Sequence, residues 1–152
     1  MRTRILALAA GIALAACTGQ PESPAASLSL GSAGAGYALT AVDGQALPAN
    51  AYFGVDVSVG ATGGKLTLAG DHSYALSVTY DRHFASGNRN VVFTQSEQGT
   101  WSASGNELTL TPASGSAHKA LVSATQVSMA LTVPDSSPPE RATKTYTFTK
   151  TQ

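Results

Sequence analysis

One cysteine, Cys17, is all the thiol chemistry that the chain contains, which excludes an intramolecular disulfide and a cluster of thiolate metal ligands. Small exported domains often rely on disulfides, so stability here has to come from a core. Charged residues are only 12 % of the sequence, and no basic run occurs in it. That argues against nucleic acid or an anionic membrane face as partner, since both call for clustered Lys and Arg. Helical periodicity is nearly missing. No Gly-X-Ser-X-Gly elbow marks an activated serine, and no other motif supplies a nucleophile with its base. The one sustained apolar run, Ile5 to Ala13, is too short to cross a hydrocarbon core of roughly 30 Å as a helix.

That run follows Arg2 and Arg4 and precedes small residues, the three zones of a secretory signal. Leu14-Ala15-Ala16-Cys17 resembles the lipobox of bacterial lipoproteins. The resemblance implies cleavage before Cys17 and lipid on its sulfur. An ordinary secretory signal with an incidental cysteine is the alternative, but the only cysteine lies where the lipobox requires one. Two or more acyl chains anchor a protein stably where one gives marginal binding. Thr18 follows the cysteine, where Asp would imply retention in the inner membrane, so an outer-membrane protein on its periplasmic or surface face is expected. Losing Arg2 and Arg4 leaves seven basic against nine acidic residues. The expected organisation is a signal over 1–16, a lipidated Cys17 with a Gly-, Ser- and Ala-rich tether over 17–36, and one domain over 37–152.

Within that domain, period-two alternation recurs between turn residues. Tyr74, Leu76, Val78 and Tyr80 share one face; so do Phe53, Val55, Val57 and Val59, Leu66 with Leu68, Leu108 with Leu110, Val127 with Met129 and Leu131 with Val133, and Tyr146 with Phe148. Threonines fill the opposite faces, where a branched β-carbon suits a half-solvated sheet. Asp43-Gly44, Gly63-Gly64, Gly70-Asp71, Ser86-Gly87-Asn88, Ser104-Gly105-Asn106 and Ser114-Gly115-Ser116 read as turns. Most are too short for a crossover, so neighbouring strands pair antiparallel. The expected fold is all-β, an up-and-down meander closing into a small barrel of about eight or nine strands, which removes exposed edges. A two-sheet sandwich is the alternative. Pro134 to Arg141 reads as a loop before a last strand, Lys144 to Lys150.

The stretch Tyr37 to Pro48, followed by Gly64-Lys65-Leu66-Thr67-Leu68, Asp71, Tyr74, Gly99-Thr100-Trp101 and Gly105 to Leu110, resembles small bacterial lipocalin-like β-barrel lipoproteins, mostly of unassigned function. The resemblance spans nearly the whole domain. Its motifs are turn and strand motifs, so it implies the fold and scarcely an activity. For want of a nucleophile and base set, the expected function is a lipid-anchored envelope barrel that is not an enzyme and needs no cofactor, binding a small apolar molecule or another envelope component. A structural or inhibitory interaction protein that uses an exposed loop is the rival reading, and a hydrolase the third.

Three histidines, His72, His83 and His118, fall on a turn, a strand end and a turn exit, a spacing unlike that of a metal site. Tyr80-Asp81-Arg82-His83 reads as a charged strand end. From Val91 to Ala103 the parity that groups Val91, Phe93 and Trp101 also includes Gln95 and Glu97, and an inward carboxylate is costly unless paired or wet. A regular strand would create a cavity lined by Gln95, Glu97, Trp101 and the inward tyrosines Tyr74, Tyr80 and Tyr146. A β-bulge at Gln98-Gly99 would leave Glu97 in water, and this is the expected arrangement, with Trp101 plugging one barrel end.

Overall fold

The computed structural model describes residues 34–134 and 142–151. Cys17, the expected signal and most of the expected tether lie outside the described residues, as do residues 135–141 of the proline-rich stretch. Ten strands and no helix occur among those described: β1 (Ala35–Val42), β2 (Gln45–Ala46), β3 (Ala49–Phe53), β4 (Val57–Leu68), β5 (Ser73–Phe84), β6 (Arg89–Ser104), β7 (Glu107–Pro112), β8 (His118–Val122), β9 (Gln126–Thr132) and β10 (Thr143–Lys150).

Every pairing is antiparallel, and the order runs as a meander from β4 through β10. β1 closes it by pairing with both β10 and β4, Tyr37 lying opposite Lys150 on one side and Leu66 on the other. The result is an eight-stranded barrel with two extra strands, β2 beside β1 and β3 beside β4, and not a sandwich. Ala35 and Gly36, assigned to the tether by composition, belong to this closure: they pair with Leu68 and Thr67, and Thr151 donates its backbone N–H to Gly36 O at 2.9 Å.

Alternation fills the interior. Tyr37, Leu66, Leu68, Val59, Tyr80, Leu108, Leu110, Val127, Met129, Tyr146 and Phe148 are all essentially inaccessible, and each such side chain contributes roughly 1.5–3 kcal/mol on burial. Two bulges make this possible. The register shifts at Thr40 in β1 and at Thr62 in β4, and an extra residue flips the parity of all that follows. Val59 and Ala61 before Thr62, and Leu66 and Leu68 after it, therefore all face inward.

Two expectations are corrected here. Gly63-Gly64 is no turn but continues β4 past its bulge; a Cβ on Gly64 would stand 2.7 Å from Ser77 O, so the site needs close backbone approach. Phe53 to Val59 is not one strand: Gly54 donates to Val57 O at 2.8 Å, closing a tight connection between β3 and β4. Phe53 and Val55 consequently stand 83 % and 97 % exposed.

Because strand direction alternates, the β4–β5, β6–β7 and β8–β9 turns share one barrel end with Gly34, the near end. The connections after β1, β3, β5 and β7 share the far end.

Candidate functional site

The strand that governs the candidate site is β6. Its register with β5 runs unbroken from Thr100 opposite Ser73 to Arg89 opposite Phe84, and its register with β7 is equally regular. The expected bulge at Gln98-Gly99 does not exist. Gly99 answers a different need: a Cβ there would lie 2.1 Å from Thr111 O, so glycine lets β7 draw close. With parity kept, Glu97 faces the barrel interior.

The carboxylate is paired there, which is why the inward position is tolerable. Tyr74, one strand away on β5, donates its hydroxyl to Glu97 Oε1 at 2.5 Å. His118, the first residue of β8, places Nε2 3.0 Å from Glu97 Oε2. The side chains of His118 and Glu97 are 25 % and 26 % exposed, so the pair lies at the mouth of the interior. Burial, reinforced by the neighbouring carboxylate, pushes the Tyr74 phenol well above its ordinary pKa and keeps it a neutral donor.

Around this triad is a slot of about 100 Å3 lined by Leu76, Val78, Gln95, Glu97, His118, Leu131 and Thr132. Its cause is a shortage of wall. β7 pairs with β6 only from Gly99 to Ser104, and β8 pairs with β9 only from Ala120 to Val122. Beyond those pairings no described strand stands between β6 and β9, and the slot lies in that gap, with Gln95 and Glu97 on one side and Leu131 and Thr132 on the other.

The six side chains that parity alone groups as one cavity occupy three places. Tyr74, Gln95 and Glu97 belong to the slot. Tyr80 and Tyr146 lie in the closed core, Tyr80 Oη donating to Tyr146 Oη at 3.1 Å, and burial raises both phenols above their usual pKa. Trp101 packs at the near end beside the β4–β5 turn: its Nε1 donates to Ala69 O at 3.0 Å and its ring lies 4.8 Å from that of His72. His118 is the functional candidate that sequence reasoning missed. Its distance of 21 residues from Glu97 gives no local signal; the pairing of β6 with β7 and of β7 with β8, and the curl of that sheet, bring the two together. His83 bonds Asn90 through Nδ1 at 2.6 Å, so the histidines do not converge, and among the described residues no group of three or more metal-ligating side chains forms.

At the far end the β5–β6 hairpin carries a second cluster. The Arg82 guanidinium lies 4.7 Å from the Phe93 ring centre and that of Arg89 lies 4.8 Å from Phe84, with exposed Phe53, Val55 and Val92 nearby. A broader groove of about 500 Å3 runs past Asn50, Tyr52 and Ala142, and the Lys144–Asp43 ion pair at 2.9 Å stands in it.

No protein-family model, curated protein or solved structure matches this chain.

Proposed function

We propose that this protein is a lipid-anchored, non-catalytic β-barrel of the cell envelope that binds another envelope component, and that this component is a protein rather than a small apolar molecule. The observation that carries the reading is a filled interior behind an incomplete wall. Tyr37, Tyr80, Tyr146 and Phe148 fill the core, and the slot's roughly 100 Å3 is well under the about 300–1,000 Å3 of ordinary small-molecule sites. What the barrel does offer is backbone along β6 that pairs with no strand but β5 from Asn90 to Ser96 among the described residues, which suits a polypeptide.

The anchor rests on Leu14-Ala15-Ala16-Cys17, and the outer membrane on Thr18. Kinship with lipocalin-like lipoproteins agrees with the eight-stranded closure. A hydrolytic role would need a nucleophile beside the His118–Glu97 pair, and the Tyr74 phenol bonded to that pair is held protonated.

Two measurements test the reading. Metabolic labelling with a palmitate analogue should mark the wild type and spare Cys17→Ser; equal labelling of both ends the lipoprotein claim. Titration with an apolar fluorescent probe, N-phenyl-1-naphthylamine, should show no saturable one-to-one site. If such a site appears and is lost when Leu76 or Leu131 is enlarged to Trp, the small-molecule reading replaces this one.

A further inference from the structure

The backbone of β6 has a direction as well as a register. Gln98 O accepts from Ala113 N on the β7 side, whereas Trp101 N donates to His72 O on the β5 side. Even-numbered residues of β6 therefore turn N–H and C=O away from β5, and odd-numbered ones toward it. From Asn90 to Ser96, β5 is the only pairing partner among the described residues. Asn90, Val92, Thr94 and Ser96 thus turn a row of donors and acceptors toward the gap, with no strand paired to them there among the described residues.

Natural sheets blunt such an edge with lysine, proline, a bulge or a very short strand. This one has none of these. Asn90-Val91-Val92-Phe93-Thr94-Gln95-Ser96 carries no charge and no proline, its register is unbroken, and Val92 is largely exposed. The gap gives an added strand room to lie beside β6. Alternate side chains of such a strand, opposite Phe93 and Gln95, would turn inward with Cβ atoms about 4.5–5.5 Å from theirs. They would meet Leu76, Val78 and Leu131, which are apolar, and Glu97, the one carboxylate among the slot residues. Its oxygens take one bond each from Tyr74 and His118 and keep further lone pairs.

We infer that β6 from Asn90 to Ser96 binds an extended segment of a partner protein by strand addition, and that a lysine or arginine of that segment enters the slot to pair with Glu97. This rests on the protein-partner reading above and specifies its mode. Main-chain bonds supply the attachment and the inward side chain the selectivity. The basic residue is assigned by charge: Glu97 is the one carboxylate in a slot sized for one side chain, whose other walls include Leu76, Val78 and Leu131.

The test uses the full-length chain in detergent and capped heptapeptides of alternating valine and threonine whose second residue is lysine, norleucine or glutamate; an antiparallel strand lying from Ser96 to Asn90 sets that residue opposite Gln95, diagonal to Glu97. Amide exchange reads the pairing. With the lysine peptide at millimolar concentration, the amides of Val92, Thr94 and Ser96 should slow at least tenfold, while those of Phe93 and Gln95, already bonded to β5, stay unchanged. The lysine peptide should bind at least tenfold more tightly than the norleucine one, and Glu97→Gln should reduce that ratio below threefold. Thr94→Pro removes a gap-facing N–H without touching the β5 ladder and should abolish binding with the melting temperature kept within a few degrees. Uniform slowing of odd and even amides, no slowing at all, or binding that survives Thr94→Pro overturns strand addition; equal affinity for lysine and norleucine overturns the basic side chain. A photo-crosslinker at Thr94 separates the two levels. A discrete protein adduct in intact cells, absent when the crosslinker stands at Leu121, supports the partner reading even where the peptides fail, and adduct at neither position overturns both.

Discussion

At Glu97 the carboxylate accepts from the Tyr74 hydroxyl and meets His118 Nε2, so exchanging it for glutamine keeps the shape and removes the charge. Charge-assisted hydrogen bonds contribute roughly 1.5–3 kcal/mol against about 0.5–1.5 for neutral ones. Glu97→Gln should therefore lower the unfolding free energy by about 1 kcal/mol in urea, and Glu97→Leu by more, since the Tyr74 hydroxyl then loses its acceptor. A glutamine variant as stable as the wild type would show that these bonds carry no net weight in the fold. Gly99 poses a steric question. A methyl group there collides with the β7 backbone at Thr111 O, whereas one at Gly63 meets nothing within 4 Å. Gly99→Ala should cost about 2 kcal/mol or more, because the obstacle is backbone and cannot rotate aside. Gly63→Ala should be neutral or gain up to about 1 kcal/mol through the entropy of the unfolded chain. Equal effects at the two glycines would refute the close approach.

Among the elements, β1 carries a double duty, since its first residues pair with β4 and its last with β10. A chain beginning at Gly34 should melt with one beginning at Thr18. Starting at Tyr37 instead removes Ala35 and Gly36, their pairing with Leu68 and Thr67, and the Thr151-to-Gly36 bond. A loss of about 1 kcal/mol lowers the melting temperature of a domain this size by roughly 4 °C, and a drop at least that large is expected in a thermal scan. Identical melting of all three chains would place the domain boundary at Tyr37. The bulges in β1 and β4 belong to this scale too. Thr62 is one residue, yet it decides which face of β4 holds leucines, and Thr40 does the same between Leu39 and Val42. Period-two counting cannot foresee them, because a bulge is visible only against the partner strand. That is why Gly63-Gly64 reads as a turn in the sequence and as mid-strand in the barrel.

In the molecule as a whole, four buried phenols, Tyr37, Tyr74, Tyr80 and Tyr146, are all raised above their ordinary pKa chiefly by desolvation. Below about pH 10 they are protonated whether folded or not. Above it the unfolded chain loses these protons while the folded one keeps them, so stability is complete below the unfolded pKa and falls as pH rises toward the folded values. Urea midpoints should hold steady between pH 8 and 9.5 and decline progressively above 10, less steeply in Tyr80→Phe. A flat profile to pH 11 would mean that the phenols ionise in place. The alternation of Tyr74 through Tyr80, of Leu108 with Leu110 and of Tyr146 with Phe148, together with the turns at Asp43-Gly44 and Gly105-Asn106, was enough to establish an antiparallel all-β meander and much of its core, because side-chain parity and turn chemistry act over a few residues. The tertiary structure alone decided the rest. Which strands close the barrel, where Thr40 and Thr62 reset the faces, and that His118 meets Glu97 beside a gap in the wall all depend on register summed around eight strands. Register is set by packing between segments far apart in the chain, and no local pattern contains it.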